Sequence, residues 1–179
     1  MARRSTCAWT VALVASLLGV TAHAADSDGF RIRMSGTRHS QSVRRALIGA
    51  HERLARAECQ KLFTDFNDQA GRPLQERLDT LGLTGQEFLG FVGFYEGYGQ
   101  SRCAQQRVMA FTQPGSLAVR VCPQMAGQDQ ALVEMILLHE MLHSLGLGEN
   151  PPSTYEITDQ VRKRCGGRVR SLSARSATR

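Results

Sequence analysis

An almost wholly apolar segment from Ala131 to Leu147 constrains the fold of this chain more than any other feature of the sequence. Its apolar residues fall on nearly every face of a helix, and Asp129 or Gln128, just before it, can cap the helix N-terminus. A helix that is apolar all round must be buried. We therefore expect the rest of the domain to pack around this segment.

The segments around the buried helix predict an α+β domain. Apolar residues at helical spacing indicate one long helix over residues 41–66, or two helices broken near Gly49. Further along, the pattern predicts a short helix over 74–81, an N-cap at Thr84 with Glu87 three residues on, and a helix running into an irregular strand over 88–98. A β-hairpin with strands at 107–112 and 117–122 and a final helix over 153–164 complete the order. In this prediction the hairpin, as part of a mixed sheet, packs on the buried helix.

The first 24 residues have the pattern of a secretory signal peptide. A basic start at Arg3 and Arg4 is followed by an apolar run from Ala8 to Val20, and Ala22-His23-Ala24 fits a signal-peptidase site. The apolar run is shorter than the roughly 20 residues that span a bilayer. We expect export to the periplasm or the medium, with no stable membrane insertion after cleavage, and a catalytic domain over residues 25–165.

The positive charge of the chain is concentrated at its C-terminal end. The formal net charge is +6, and seven basic groups without an acid lie between Arg162 and Arg179. Residues 166–179 are too polar and small to bury a face, so we expect a basic disordered tail. Excess charge in a tail does not indicate specific nucleic-acid binding.

Four cysteines follow the signal peptide, and an even number in an exported chain predicts two disulfides. No C-x-x-C pair occurs, which argues against a structural zinc. Three pairings are possible. We expect Cys103 to pair with Cys122 across the hairpin, and Cys59 to pair with Cys165, joining an early helix to the last one.

The buried helix contains the motif H-E-x-x-H, formed by His139, Glu140 and His143. Residues four apart lie on one face of a helix, so both imidazoles can bind one metal ion while Glu140 reaches a water bound to the metal. A buried helix has no packing use for three ionisable side chains, because burying them without partners costs several kcal/mol. His39 and His51 have no partner at metal-ligand spacing and are expected at the surface.

A catalytic zinc ion takes a third protein ligand and leaves one position open. Glu149 is the candidate, because Gly146 can adopt the left-handed conformation that ends a helix and turns the chain back. Two imidazoles and one carboxylate suit Zn²⁺, one ion per chain.

The run from His139 to Glu149 reads H-E-x-x-H-x-x-G-x-x-E and resembles the zincin metallopeptidases, in the metzincin form with glutamate in place of the last histidine. The resemblance covers about Ala131 to Asn150. The chain departs from the metzincin pattern in one respect, because no methionine follows Met141 to form the methionine turn. The gluzincins, a related branch, take a glutamate ligand from a following helix, and this resemblance makes Glu156 and Asp159 alternatives to Glu149 as the third ligand. The resemblance implies a small zincin-like fold.

The resemblance also implies an exported zinc metallopeptidase that acts as a monomer on peptide or protein substrates. Zn²⁺ would polarise the scissile carbonyl and lower the pKa of a bound water, and Glu140 would take the proton of that water and pass it to the leaving amine. The hairpin would pair with an extended substrate, and Tyr155 is a candidate oxyanion donor. The alternative is a module on the same scaffold that binds peptides or proteins without cutting them.

Overall fold

The structure, a computed structural model, describes residues 29–167. The signal peptide expected over residues 1–24 lies outside this range, and so does the expected tail apart from its first two residues. No helix between residues 29 and 167 is both long and apolar enough to cross a membrane.

The domain is α+β, as predicted, with helices packed around a small mixed sheet. The described strands are β1 (Arg31–Arg33), β2 (Gly93–Glu96), β3 (Ala110–Phe111) and β4 (Ala118–Val121). The described helices are α1 (Thr37–Leu54), α2 (Ala57–Gln60), α3 (Leu62–Asp65), α4 (Leu74–Leu81), α5 (Gly85–Phe91), α6 (Gln130–Ser144) and α7 (Thr154–Cys165).

The sheet has the order β1-β2-β4-β3. Strands β1, β2 and β4 are parallel, with Ile32 opposite Phe94 and Phe94 opposite Val119, whereas β3 runs antiparallel to β4. The hairpin β3–β4 is thus confirmed, although its strands are shorter than the sequence predicted. Strand β3 lies at the edge of the sheet, where one side of its backbone has no strand partner among the described residues.

Helix α6 forms the centre of the domain, as its apolar sequence predicted. It packs mainly against α1, and also against α7, β3 and β4. The Asp129 carboxylate accepts hydrogen bonds from the backbone N–H groups of Ala131 and Leu132 and so caps the helix. Among the core residues that α6 contributes, Leu137, Leu138, Met141 and Leu142 are fully buried.

Several local predictions are confirmed by the bounds of the helices. Helix α4 begins at Leu74 and ends at Leu81, and α7 occupies the segment expected to form the last helix. Thr84 and Glu87 form a capping box, in which each side chain hydrogen-bonds to the backbone N–H of the other residue.

Both alternatives predicted for residues 41–66 are wrong, because α1 continues through Gly49 but ends at Leu54, and the two short helices α2 and α3 follow it. The next residues interrupt the helix, with Arg56 in an extended conformation. Gly49 serves close packing instead. A Cβ atom at this position would overlap the carboxylate of Glu134 on α6, which is ion-paired with Arg53, so glycine leaves room for that carboxylate between the two helices.

Both expected disulfides are present. Cys59 pairs with Cys165 at a Cα–Cα distance of 4.6 Å, and Cys103 pairs with Cys122 at 5.3 Å. The first bond joins α2 to the last residue of α7, and the second joins a 3₁₀ turn at Ser101–Ala104 to the end of β4. The first link therefore joins a segment before α6 to the helix that follows it, and the second joins two segments that both precede α6. Such pairs are compatible with an oxidising, exported location.

Candidate metal centre

The end of α6 turns the chain back toward its own histidines. Gly146 has a φ of +115°, and its N–H donates to the His143 carbonyl at 2.9 Å, while the Leu147 N–H donates to the Leu142 carbonyl at 3.1 Å. These two bonds form a Schellman motif, which ends the helix three residues before the predicted end. The Gly115 N–H in the hairpin turn also donates to the His143 carbonyl, at 2.8 Å. The hairpin and the end of α6 are thereby fixed to each other.

The imidazoles of His139 and His143 face each other across one turn of α6. Their Nε2 atoms are 3.0 Å apart, and the two residues are 7% and 4% exposed. Nδ1 of His143 lies 2.8 Å from the Leu147 carbonyl oxygen, and Nδ1 of His139 lies 3.1 Å from Oγ1 of Thr158 on α7. Both rings are therefore held at Nδ1, with Nε2 directed to a common point.

The Leu147 contact fixes the tautomer of His143. A carbonyl oxygen accepts but does not donate, so in the neutral His143 ring Nδ1 carries the proton and Nε2 has the lone pair. The Thr158 hydroxyl can donate or accept, so Nε2 of His139 is free to carry a proton or a lone pair. Two Nε2 atoms at 3.0 Å must share a proton or bind a cation between them. The second arrangement is the one found in metal sites, where the other ring nitrogen is held by a hydrogen bond.

The Glu149 carboxylate completes the group. Its Oε1 lies 3.6 Å from Nε2 of His143, and one ligand atom from each of Glu149, His139 and His143 can be chosen so that all lie within 4.8 Å of one another. The Thr154 hydroxyl donates to the same carboxylate oxygen. The three side chains could hold a metal ion, in agreement with the predicted ligand set.

The alternative ligands Glu156 and Asp159 do not join this group. The carboxylate of Glu156 is exposed and accepts from the N–H and hydroxyl of Ser153 in the capping box that begins α7. Asp159 is exposed on α7. Among the acids considered from the sequence, the structure brings Glu149 alone to the two imidazoles.

Glu140 lies next to the histidines and is 6% exposed. The backbone N–H of Thr112, just after β3, donates to its carboxylate. Its Oε2 is buried and has no hydrogen-bond partner among residues 29–167. A buried carboxylate oxygen without a partner is costly in a structural role, and it is the atom expected of a group that receives a proton from water or substrate.

Burial also changes the protonation of the site. It lowers the pKa of His139 to about 4, helped by repulsion from His143 and opposed by Glu149. Burial raises the pKa of Glu140 to about 8; repulsion from Glu149 adds to this rise and the positive charge of Arg102 opposes it. His139 is therefore neutral at pH 7, and the neutral imidazole is the form that binds metal ions. The pKa of Glu140 lies close to pH 7.

The group opens into a cleft of about 670 Å³. Strand β3 and its flanking residues Val108 and Met109 form one wall, and α6 and the inner face of α7 form the rest. Phe111 is the aromatic residue of the lining, whereas Tyr155, the candidate oxyanion donor, is 76% exposed and does not line the cleft. The role considered for Tyr155 therefore has no support in its position.

The other two histidines of residues 29–167 lie apart from the metal group. His51 is exposed, as expected, and its ring packs edge-on against Phe30. The expectation for His39 is wrong, because it is half-buried and burial lowers its pKa against the opposing charge of Glu96. The ring lies in the first turn of α1 and is only partly exposed to water.

Comparisons with known proteins identify no relative of this chain: no family model matches it, and no curated protein or solved structure is significantly similar. The residues of the site are therefore the basis for any assignment of function.

Proposed function

We propose that this protein is an exported, zinc-dependent peptidase of the zincin type. One observation supports this most strongly: His139, His143 and Glu149 converge on one point, next to a buried carboxylate with an unpartnered oxygen. Metal sites that serve structure alone are closed by four protein ligands, whereas catalytic sites have three. A site of three ligands facing a cleft fits the catalytic class.

Each side chain has one role in the proposed reaction. His139, His143 and Glu149 would hold the ion, and Thr158 and Leu147 would orient the two rings through their Nδ1 atoms. When bound, zinc supplies a Lewis acid that polarises the substrate carbonyl and acidifies water. Glu140 accepts the proton of the attacking water at its carboxylate and gives it to the nitrogen of the departing amine. The water oxygen first adds to the carbonyl carbon and forms the new C–O bond, and the C–N bond then breaks as the protonated amine leaves.

Strand β3 supports a peptide as the substrate. It is the edge of the sheet and also a wall of the cleft, so its backbone can pair with an extended chain that passes the metal site. Backbone pairing binds peptides of many sequences, and it would hold the scissile bond at a fixed distance from the metal ligands on α6. Export is supported by the signal-like N-terminus and by the two disulfides.

The first test separates metal binding from turnover. Glu140→Gln is expected to retain one zinc ion per chain and to lose hydrolysis of a peptide library, because the amide cannot take up a proton. His143→Ala is expected to lose the ion, whereas the matched control His51→Ala, an exposed histidine outside the site, retains it. Hydrolysis that persists in Glu140→Gln would remove the proposed base.

A second comparison tests the third ligand. Glu149→Ala is expected to weaken zinc binding, and Asp159→Asn, which removes an exposed acid on α7, is expected to leave zinc binding unchanged. A chelator should stop hydrolysis by the unmodified protein. Zinc bound without any peptide cleavage would instead favour the alternative function, a module that binds peptides or proteins without cutting them.

A further inference from the structure

The cleft beside the metal group carries an excess of positive charge. Arg102, Arg107 and Arg162 line it, and none of them forms a side-chain hydrogen bond or ion pair with residues 29–167. Arg53 also lines the cleft, but its charge is neutralised by Glu134. The other lining residues that carry charge are the two carboxylates of the site, which a bound divalent cation would balance. The charge of Arg107 and Arg162 is then available to a ligand, and so is that of Arg102, which acts on Glu140 through space without forming an ion pair.

Arg102 is held in a fixed place on the β3 side of the cleft. It belongs to the 3₁₀ turn at Ser101–Ala104, which the Cys103–Cys122 disulfide joins to the end of β4. The Gln124 side chain donates to the Cys103 carbonyl at 3.0 Å. The guanidinium carbon of Arg102 lies 5.4 Å from the ring centre of Phe111 on β3, so the cation is stacked beside the edge strand that a peptide would follow.

Arg162 faces the cleft from the opposite wall. It lies four residues after Thr158 on α7, and residues four apart share one face of a helix. The Thr158 hydroxyl contacts the His139 ring at 3.1 Å, and Arg162 lies about one helical turn, roughly 6 Å along α7, beyond Thr158. The C-terminal end of α7 is fixed by the Cys59–Cys165 disulfide, so this position is also well defined.

An arginine that has no acid partner and lines a cleft is suited to bind a carboxylate, because the planar guanidinium donates two parallel hydrogen bonds to it. We propose that this cleft selects peptides that present a carboxylate near the scissile bond, with Arg102 and Arg162 as specificity-determining residues. The carboxylate can come from an aspartate or glutamate side chain or from the C-terminus of the peptide. The inference rests on the proposed peptidase function for the cleavage step.

Matched peptides test the proposal with the zinc-loaded mature protein. A quenched fluorescent peptide is made with glutamate or glutamine at each position around the cleaved bond, and with a free or an amidated C-terminus. We expect kcat/KM to be about tenfold or more higher for the carboxylate form, the gain of one charge-assisted hydrogen-bonded pair. A preference for glutamate identifies a side chain as the source, and a preference for the free over the amidated end identifies the C-terminus.

Variants identify the residues responsible. Arg102→Gln and Arg162→Gln are expected to reduce the ratio of kcat/KM for the glutamate peptide to kcat/KM for the glutamine peptide, because the substituted side chain no longer forms an ion pair with a carboxylate. Arg77→Gln removes the same charge from an exposed position on α4 outside the cleft and should leave the preference unchanged. Raising the salt concentration should also weaken the preference.

A binding measurement separates this inference from the proposed activity. Fluorescence anisotropy with labelled glutamate and glutamine peptides is measured on zinc-loaded Glu140→Gln. If the unmodified zinc-loaded protein cuts no peptide, but the glutamate peptide binds more tightly to Glu140→Gln and the added change Arg102→Gln removes the difference, the selectivity is upheld and hydrolysis is rejected. If both peptides are cut or bound equally, if neither binds, or if Arg77→Gln has the same effect as Arg102→Gln, the proposed selectivity is overturned.

Discussion

The buried ion pair between α1 and α6 gives the sharpest prediction about stability. Nε of Arg53 lies 2.6 Å from Oε2 of Glu134, and the two residues are 6% and 7% exposed. Nη1 of Arg53 also donates to the carbonyls of Cys165 at 2.6 Å and Gly167 at 2.9 Å. One guanidinium therefore joins α1, α6 and the end of α7, and its charge is balanced by a single buried carboxylate.

Glu134→Gln removes the negative charge and keeps the shape of the side chain. Loss of one partner from a buried ion pair costs about 3–5 kcal/mol, because the remaining charge stays out of water without compensation. The glutamine oxygen can still accept a hydrogen bond from Arg53, so we expect the lower end of this range, about 3 kcal/mol. With a urea m-value of about 2 kcal/mol/M, the midpoint of unfolding should fall by about 1.5 M.

The control is Lys61→Gln, which breaks an ion pair with Glu58 in which the two side chains are 54% and 51% exposed. An exposed pair contributes about 0–1 kcal/mol, so the urea midpoint of this variant should stay within about 0.5 M of the unmodified protein. Urea unfolding of the metal-free mature chain at pH 7, followed by far-UV circular dichroism, measures both variants. A loss of stability in Glu134→Gln no greater than that in Lys61→Gln would refute the reasoning.

Three further outcomes are expected. Thr158→Val removes the hydroxyl that contacts Nδ1 of His139 and should weaken zinc binding about tenfold in a chelator competition, the usual effect of losing the group that orients a ligand. Zinc at about 100 times its Kd should stabilise the protein by about 2.7 kcal/mol in thermal unfolding, and a chelator or His143→Ala should remove this gain. The Arg164 guanidinium lowers the pKa of Asp65 through hydrogen bonds at 2.7 and 3.0 Å, so the pair should stabilise the fold above pH 4 by up to about 1 kcal/mol and lose this effect at lower pH. The difference in unfolding free energy between the protein and Asp65→Asn should shrink accordingly as the pH falls, and a constant difference would contradict this.

The elements predicted best are those whose signals are local. The capping box at Thr84 and Glu87 and the turn between β3 and β4 depend on residues a few positions apart, and both were predicted from the sequence. Strand β1 was missed, because its three residues become a strand by parallel pairing with β2, about 60 residues away. The helix break was misplaced, because Gly49 responds to Glu134 on another helix and not to its own neighbours.

The residues of the site also fall into two groups: those that the local sequence predicted and those that it did not. His139, Glu140, His143 and Glu149 lie within eleven residues of sequence, so helical spacing and the turn at Gly146 were enough to bring them together. The partners contributed by other elements were not predicted. Thr158 on α7 and Arg102 before β3 reach the site through the packing of whole elements, and a hydroxyl or an arginine in an isolated segment gives no signal of that role. The sequence left three disulfide pairings open, and the structure contains the pairing that was expected among them.

The most direct test of the metal centre is X-ray absorption at the zinc edge, combined with metal analysis of the purified mature protein. We expect one zinc ion per chain with nitrogen and oxygen ligands at about 2.0–2.1 Å, including two imidazoles, and loss of this signal in His139→Ala. No bound zinc, a sulfur ligand at about 2.3 Å, or an unchanged spectrum in His139→Ala would contradict the proposed centre.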